Sequence, residues 1–216
     1  MLHCFKKARD PISSWTHFLG AVGAGVGTII LFASCLLRGA GAVTLFSCLV
    51  FGFSMLALYN ASAIYHYVHC SPQKLERFRK ADHSMIYVLI AGSYTPICLR
   101  FMQPPHGAWF TAVMWGLALC GILIKVCWLN APRWLYTAVY LLMGWAIIFD
   151  LQAFRGMPAA CFGLIAAGGV AYSAGAVIYM LKKPNFKNGF GFHEIFHVFI
   201  MLGTLFHFFA VYLYMI

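Results

Sequence analysis

The sequence predicts an all-α polytopic membrane protein, a seven-transmembrane helix bundle with its N-terminus in the cytoplasm and its C-terminus outside. Three observations carry this expectation. Hydrophobic residues make up 62% of the 216 positions and charged residues 9%, where a soluble domain carries roughly 25%. The apolar residues fall into seven runs, most of them longer than the ~20 residues that span a bilayer as a helix. With seven spans, the basic residues segregate. Lys6, Lys7, Arg9, Lys74, Arg77, Arg79, Lys80, Lys125, Arg133, Lys182, Lys183 and Lys187 share one side, and only Arg38, Arg100 and Arg155 lie on the other. An excess of Lys and Arg marks the cytoplasmic side, and an even number of spans would scramble the pattern. The same loops account for the net charge of +10. No aromatic-rich basic domain is present, so nucleic acid is not an expected partner; the lipid bilayer is.

Residues 1–13 read as a short basic leader and 14–216 as a single seven-helix domain. The leader ends at Asp10-Pro11, with Ser13 or Ser14 as the cap of the first helix. The first run, 14–37, carries Gly20, Gly23, Gly25 and Gly27, small residues that let membrane helices approach closely. It is too long for the apolar region of a signal peptide, although Phe32-Ala33-Ser34-Cys35 faintly imitates a lipoprotein cleavage site, and it reads as a retained helix. The second run, 42–68, carries Asn60, Ser62, Tyr65 and His66 near its end. A polar loop, 69–81, leads to the third run, 82–101. Gln103-Pro104-Pro105-His106-Gly107 is a tight turn before the fourth run, 108–129. Asn130-Ala131-Pro132-Arg133 is the next turn. The fifth run, 134–149, is the shortest. The sixth, 159–181, is again rich in glycine, and the seventh is 192–216. The eight cysteines contain no C-x-x-C pair and read as small apolar fillers.

The chemistry lies in the polar residues that share one depth. His66 closes the second run, Asp82 and His83 open the third, and His193 and His197 open the seventh. All fall at the cytoplasmic end. His193 and His197 are four residues apart, so on a helix they share a face and can hold one metal ion. Ser62 sits one turn deeper than His66 on the same face. Ionisable groups inside membrane segments are costly and usually pair or bind something. Three neutral imidazoles suit zinc with one position left for water, and a nearby carboxylate can orient that water or take its proton.

The remaining polar residues carry plainer readings. His3, His69 and His106 read as interfacial polar groups. His17 and His83 read as structural hydrogen-bonding residues rather than ligands. His207 follows His197 by ten residues, about 15 Å along a helix, and cannot join the same site. Ser62 has an alternative of its own, a bond back to the carbonyl four residues earlier. His193-Glu194-Ile195-Phe196-His197 matches the H-E-x-x-H pattern of zinc proteases. That reading needs Glu194 as base and a third ligand deep in a later span, and no later span exists. Glu194 is instead read as a solvated interfacial residue.

Taken together, Asn60-Ala61-Ser62-Ala63-Ile64-Tyr65-His66, Ala81-Asp82-His83-Ser84 leading to Gly92-Ser93-Tyr94-Thr95-Pro96, and His193-Glu194-Ile195-Phe196-His197 with His207-Phe208 downstream closely resemble the hemolysin III family. This is a branch of small, mostly bacterial proteins related to the progestin and adipoQ receptors, including the adiponectin receptors, and more widely to the alkaline ceramidases. The resemblance covers nearly the whole chain. It implies a seven-helix bundle with its N-terminus inside, in a bacterial inner membrane. It implies Zn2+ held by His66, His193 and His197, with Asp82 contacting the zinc-bound water and Ser62 beside the site. The animal receptors carry a long N-terminal domain; with only residues 1–13 here, a hormone-receptor role is not expected. The expected function is a zinc-dependent, ceramidase-like hydrolase of lipid amides whose substrate enters laterally from the bilayer, with Asp82 as general base and Ser62 as hydrogen-bond donor. The alternative is a non-enzymatic membrane sensor or cytolytic protein with a structural zinc.

Overall fold

The computed structural model describes residues 5–186 and 190–216. His3 and Lys187, both singled out above, lie outside the described residues. The helices are α1 (Pro11–Leu37), α2 (Ala42–Tyr67), α3 (Pro72–Phe101), α4 (His106–Cys127), α5 (Arg133–Gly144), α6 (Ala159–Leu181) and α7 (Phe192–Tyr214), with a 3₁₀ segment, Ala146–Phe154, between α5 and α6. Among the described residues, counting α5 and the 3₁₀ segment as one, seven helices are long and apolar enough to cross a bilayer. The protein is a multi-pass membrane protein.

Three local features depart from the sequence expectation. First, α1 begins at Pro11 with Asp10 at its N-cap position. Ser13 and Ser14 do not cap it; both are buried, their hydroxyls donating to Glu194 Oε1 at 2.6 Å and to the Ala63 carbonyl at 3.0 Å. Proline at the first helical position is preorganised for that conformation, so the helix starts there without a serine cap.

Second, α3 starts at Pro72, ten residues before the expected boundary. The stretch 72–81 is polar but rich in Lys, Glu and Arg, all good helix formers, and Glu76 pairs with Lys80 one turn on at 3.0 Å. Its polarity reports water around the helix, not the absence of one. Asp82 therefore sits about 15 Å along α3 rather than at its first turn.

Third, the fifth span breaks. α5 ends at Gly144, and Asp150 leaves helical geometry at φ −145°, ψ 50°. In a bilayer the freed backbone groups need protein partners. The Tyr94 hydroxyl provides them: it donates to the Gly144 carbonyl at 2.9 Å and accepts from the Ile147 N–H at 3.0 Å.

The helices form a ring in the order α1, α2, α3, α5, α6, α7, closed by α7 against α1, with α4 outside on α3. α5 packs least. Buried residues such as Leu31, Phe51, Leu58, Tyr59 and Tyr87 fill the core, while Phe46, Phe149 and Leu181 face outward as a lipid-facing surface would. The cysteines among the described residues are free, and four of them, Cys35, Cys48, Cys98 and Cys161, are buried, in keeping with apolar filling.

The α1 glycines divide. A Cβ at Gly20 would lie 2.7 Å from the Tyr59 ring, and one at Gly27 3.1 Å from Phe208, whereas one at Gly23 meets nothing within 4 Å. The Tyr59 ring cannot easily yield, because its hydroxyl donates to Thr204 at 2.7 Å. Gly20→Ala is therefore expected to destabilise the protein by about 1–3 kcal/mol, the usual cost of overpacking. Gly23→Ala is expected to be neutral or slightly stabilising. Thermal unfolding of the two variants in the same detergent checks the contrast.

Candidate metal centre

The polar layer is built by α1, α2, α3 and α7 at the end of the bundle that bears the leader. On α2, the spacing of four places Ser62 and His66 on one inward face, and both are buried, 1% and 4% exposed. On α7, the same spacing stacks His193 and His197. One ring nitrogen from each of His66, His193 and His197 lies within 4.8 Å of the other two. His66 Nε2 and His193 Nε2 are 3.1 Å apart, so a proton or a cation must sit between them. A tetrahedral zinc with Zn–N of about 2.0–2.1 Å sets its ligand nitrogens about 3.3 Å apart. Three imidazoles are a donor set that ion accepts, and the His66–His193 separation is close to this spacing.

His193 and His197 line a cavity of ≈ 50 Å³ together with Ser62, Asp82, His17 and His83. Asp82 and Ser62 thus reach the space the histidines face. One neighbour of Asp82 in this lining is Ser62. The other neighbour of Asp82 is its sequence neighbour His83, whose Nδ1 lies 3.3 Å from Asp82 Oδ2 and donates to the Arg79 carbonyl at 2.9 Å. Among the described residues no lysine or arginine pairs with Asp82, which leaves its carboxylate free of a strong cationic partner.

His17 does not hydrogen-bond as expected. Its ring stacks on His197, centroids 3.5 Å apart at 12°, and both of its nitrogens are buried without a protein partner. Glu194 is not a solvated residue. Oε1 accepts from Ser13, and Oε2 accepts from the Gly191 N–H at 2.9 Å, capping α7. With both oxygens engaged, it is not placed to act as the base that the zinc-protease pattern requires. His69 meets the Lys7 carbonyl at 3.1 Å, and His106, read as a lone interfacial group, pairs with Asp150 at 2.7 Å at the opposite end of the bundle. His207 lies away from the cluster, where Nε2 donates to the Ile165 carbonyl at 3.3 Å.

The sequence reading missed Asp10. Its Oδ2 accepts from His66 Nδ1 at 2.9 Å and from Arg9 at 2.8 Å. The hydrogen bond from His66, with the Arg9 guanidinium beside it, holds the Asp10 carboxyl down at about 2, so it is ionised at neutral pH. A depth argument extended to the leader would have found it: Asp10 enters the bundle from the side where His66 leaves it.

These features define a class, a seven-helix membrane protein with a buried three-histidine cluster able to hold a metal. Comparison with known proteins narrows it. Residues 5–208 match the family described as Haemolysin-III related. The chain is 36% identical over 203 residues to Hemolysin-3 of Bacillus cereus, covering 93% of this chain and 89% of that protein. It is 37% identical over 166 residues to the Hemolysin-3 homolog of Bacillus subtilis, covering 76% and 75%. A more distant relative is Heptahelical transmembrane protein ADIPOR2 of Oryza sativa, 28% identical over 183 residues, covering 76% and 79%. The chain belongs to the haemolysin-III family and is related to adiponectin receptor-like proteins.

Ser13 is 1% exposed, and its loss strands one oxygen of Glu194. A hydrogen bond to a charged group contributes about 1.5–3 kcal/mol. Ser13→Ala is expected to lower the unfolding midpoint by a corresponding amount while leaving metal content as in the parent, since neither partner is a ligand. Calorimetry paired with metal analysis tests both halves.

Proposed function

We propose that this protein is a zinc-dependent hydrolase of lipid amides, its centre near the cytoplasmic face of a bacterial inner membrane. The observation that carries the reading is the junction of two cavities. The cavity at the histidines shares Leu58, Ile86, Tyr140 and Ile200 with a larger apolar cavity of ≈ 390 Å³ that runs along α3, α5 and α6. That volume is within the range of small-molecule sites. A purely structural metal needs no such chamber. The arrangement suits an amphiphile with its amide at the histidines and its chain between Leu89, Ile97 and Ile165.

Zinc held by His66, His193 and His197 supplies Lewis acidity, polarising an amide carbonyl and acidifying water. Asp82, facing the same cavity, takes the proton of the attacking water and delivers it to the leaving amine. Ser62 lines the cavity beside Asp82, where its hydroxyl serves the attacking water or the developing oxyanion as a donor. Tyr136, Tyr140 and Phe196 wall the site and restrict bulk water. The chain tail enters from the bilayer beside α5, the least packed helix. The segregation of basic residues supports placing the leader in the cytoplasm. A membrane-lytic role, suggested by the names of the Bacillus relatives, would want a polar stripe through the full depth of the bundle. Here the ionisable residues crowd its ends.

Detergent-purified parent protein should contain about one zinc per chain, with three histidine ligands and one open position. His193→Ala should lose it. Asp82→Asn should keep the zinc and the fold but lose turnover of ceramide-like amides by about 10²–10⁴-fold, the usual worth of general acid–base catalysis. Metal analysis by mass spectrometry and release of free fatty acid are the readouts. Full turnover in Asp82→Asn removes Asp82 from the role of base, and zinc in the parent without turnover of any amide lipid favours a structural metal.

A further inference from the structure

The first turns of α1 supply none of the three ligands, yet they touch two of them. We propose that Asp10 and Thr16 are positioning residues that fix the tautomers of His66 and His197, so that each presents Nε2 to the metal.

For His66, Nδ1 lies 2.9 Å from Asp10 Oδ2. The same Oδ2 accepts from the Arg9 guanidinium at 2.8 Å, and an oxygen in such an ion pair only accepts, so Nδ1 carries the proton and Nε2 keeps its lone pair. Nε2 is the nitrogen that faces His193 at 3.1 Å. The backbone reinforces the register, with Asp10 N–H donating to the His66 carbonyl at 2.9 Å and Arg9 N–H to that of Tyr67 at 3.3 Å. Arg9 itself is locked, its guanidinium on Asp10 Oδ2 and 4.4 Å from the Tyr65 ring centroid.

For His197 the argument runs through one hydroxyl. Thr16 Oγ1 donates its single proton to the Ser13 carbonyl at 3.0 Å. What it offers His197 Nδ1, 3.3 Å away, is therefore a lone pair. Nδ1 must donate, and Nε2 is again left free. Ser13, between the two, fastens the cap of α7 through Glu194, so the segment from Asp10 to Thr16 holds the ligands of both α2 and α7. Carboxylate and hydroxyl partners of this kind orient ligating histidines and raise their basicity, and losing one typically weakens metal binding 10–100-fold.

The inference rests on the metal reading above, and the test separates the two. Zinc affinity is measured by chelator competition on the full-length protein in detergent, for the parent, Asp10→Asn, Asp10→Glu, Thr16→Val and His193→Ala. Asp150→Asn, which breaks the His106 pair at the far end, serves as the control. Asp10→Asn should bind zinc 10–100-fold more weakly, Asp10→Glu should recover part of the loss, and Thr16→Val should show a smaller loss. Asp150→Asn should match the parent. Nitrogen-15 spectra of the zinc-loaded parent should show His66 and His197 protonated at Nδ1 and metallated at Nε2, a readout that survives even where a variant fails to fold. Zinc affinity within twofold of the parent in Asp10→Asn, or metal on Nδ1 of His66, overturns the proposal while leaving the three-histidine site standing. Equal binding by His193→Ala and the parent overturns the site itself, and the proposal with it.

Discussion

An ionisable side chain inside an apolar bundle has no water to fall back on, and this one requirement organises the structure. Burying a polar group without a partner costs several kcal/mol in hydrocarbon, so most such groups are met by another, by backbone or by an ion, with the two nitrogens of His17 an exception in this layer. At the leader end the groups meet one another. His66, His193 and His197 converge, Asp10 and Thr16 take the outer nitrogens of two of them, and Asp82 lies against His83. These contacts draw α1, α2, α3 and α7 to one layer although the residues are up to 187 positions apart, Asp10 to His197. Elsewhere the rule is obeyed singly, by His207 on a carbonyl of α6 and by His106 on Asp150. Gly168 makes the first of these contacts geometrically feasible, because a Cβ there would collide with the His207 ring.

The same rule explains which parts of the architecture were legible in the residues. Seven apolar runs mark seven helices, since only a helix satisfies its own backbone in lipid. Spacings of four mark inward faces, because that interval returns to the same side of a helix. The cluster was therefore readable from three local patterns and one depth argument. What escaped was whatever depends on a partner far along the chain. Glu194 looked solvated because its neighbours in sequence say nothing of Ser13. Asp10 looked like the end of a leader because a proline follows it, while its partner is 56 residues away. The helical start of α3 was hidden for a different reason: polarity distinguishes water from lipid, and helix formers in water look like a loop to a hydropathy argument.

The break in the fifth span shows the rule working on the backbone. A helix that stops at Gly144 exposes carbonyl and amide groups at membrane depth. Tyr94 from α3 caps both sides of the gap with one hydroxyl, and Trp145 anchors the break to α6 by donating to Ser173 at 2.9 Å. The break thus draws its bonds from its neighbours. It also keeps α5 from packing continuously against α3 and α6, and the apolar cavity lies along that loosened seam.

Two cavities that share a wall, one bearing His193, His197 and Asp82 and the other lined mostly by hydrocarbon, impose a selection that neither imposes alone. The smaller, at ≈ 50 Å³, sets the histidines, Asp82 and Ser62 in a largely apolar wall, and on the proposed reading it takes only the amide of a substrate. The apolar one offers Leu, Ile and aromatic walls with few polar groups, so a chain that enters it gains burial only if it is hydrocarbon. A soluble amide would fill the first and forfeit the second. A plain hydrocarbon would fill the second, and a free fatty acid would bring a carboxylate to a layer that already holds Asp82 and Asp10. On the proposed reading, a long-chain molecule with a neutral amide at its head is the one that would occupy both chambers, reaching them from the bilayer beside α5.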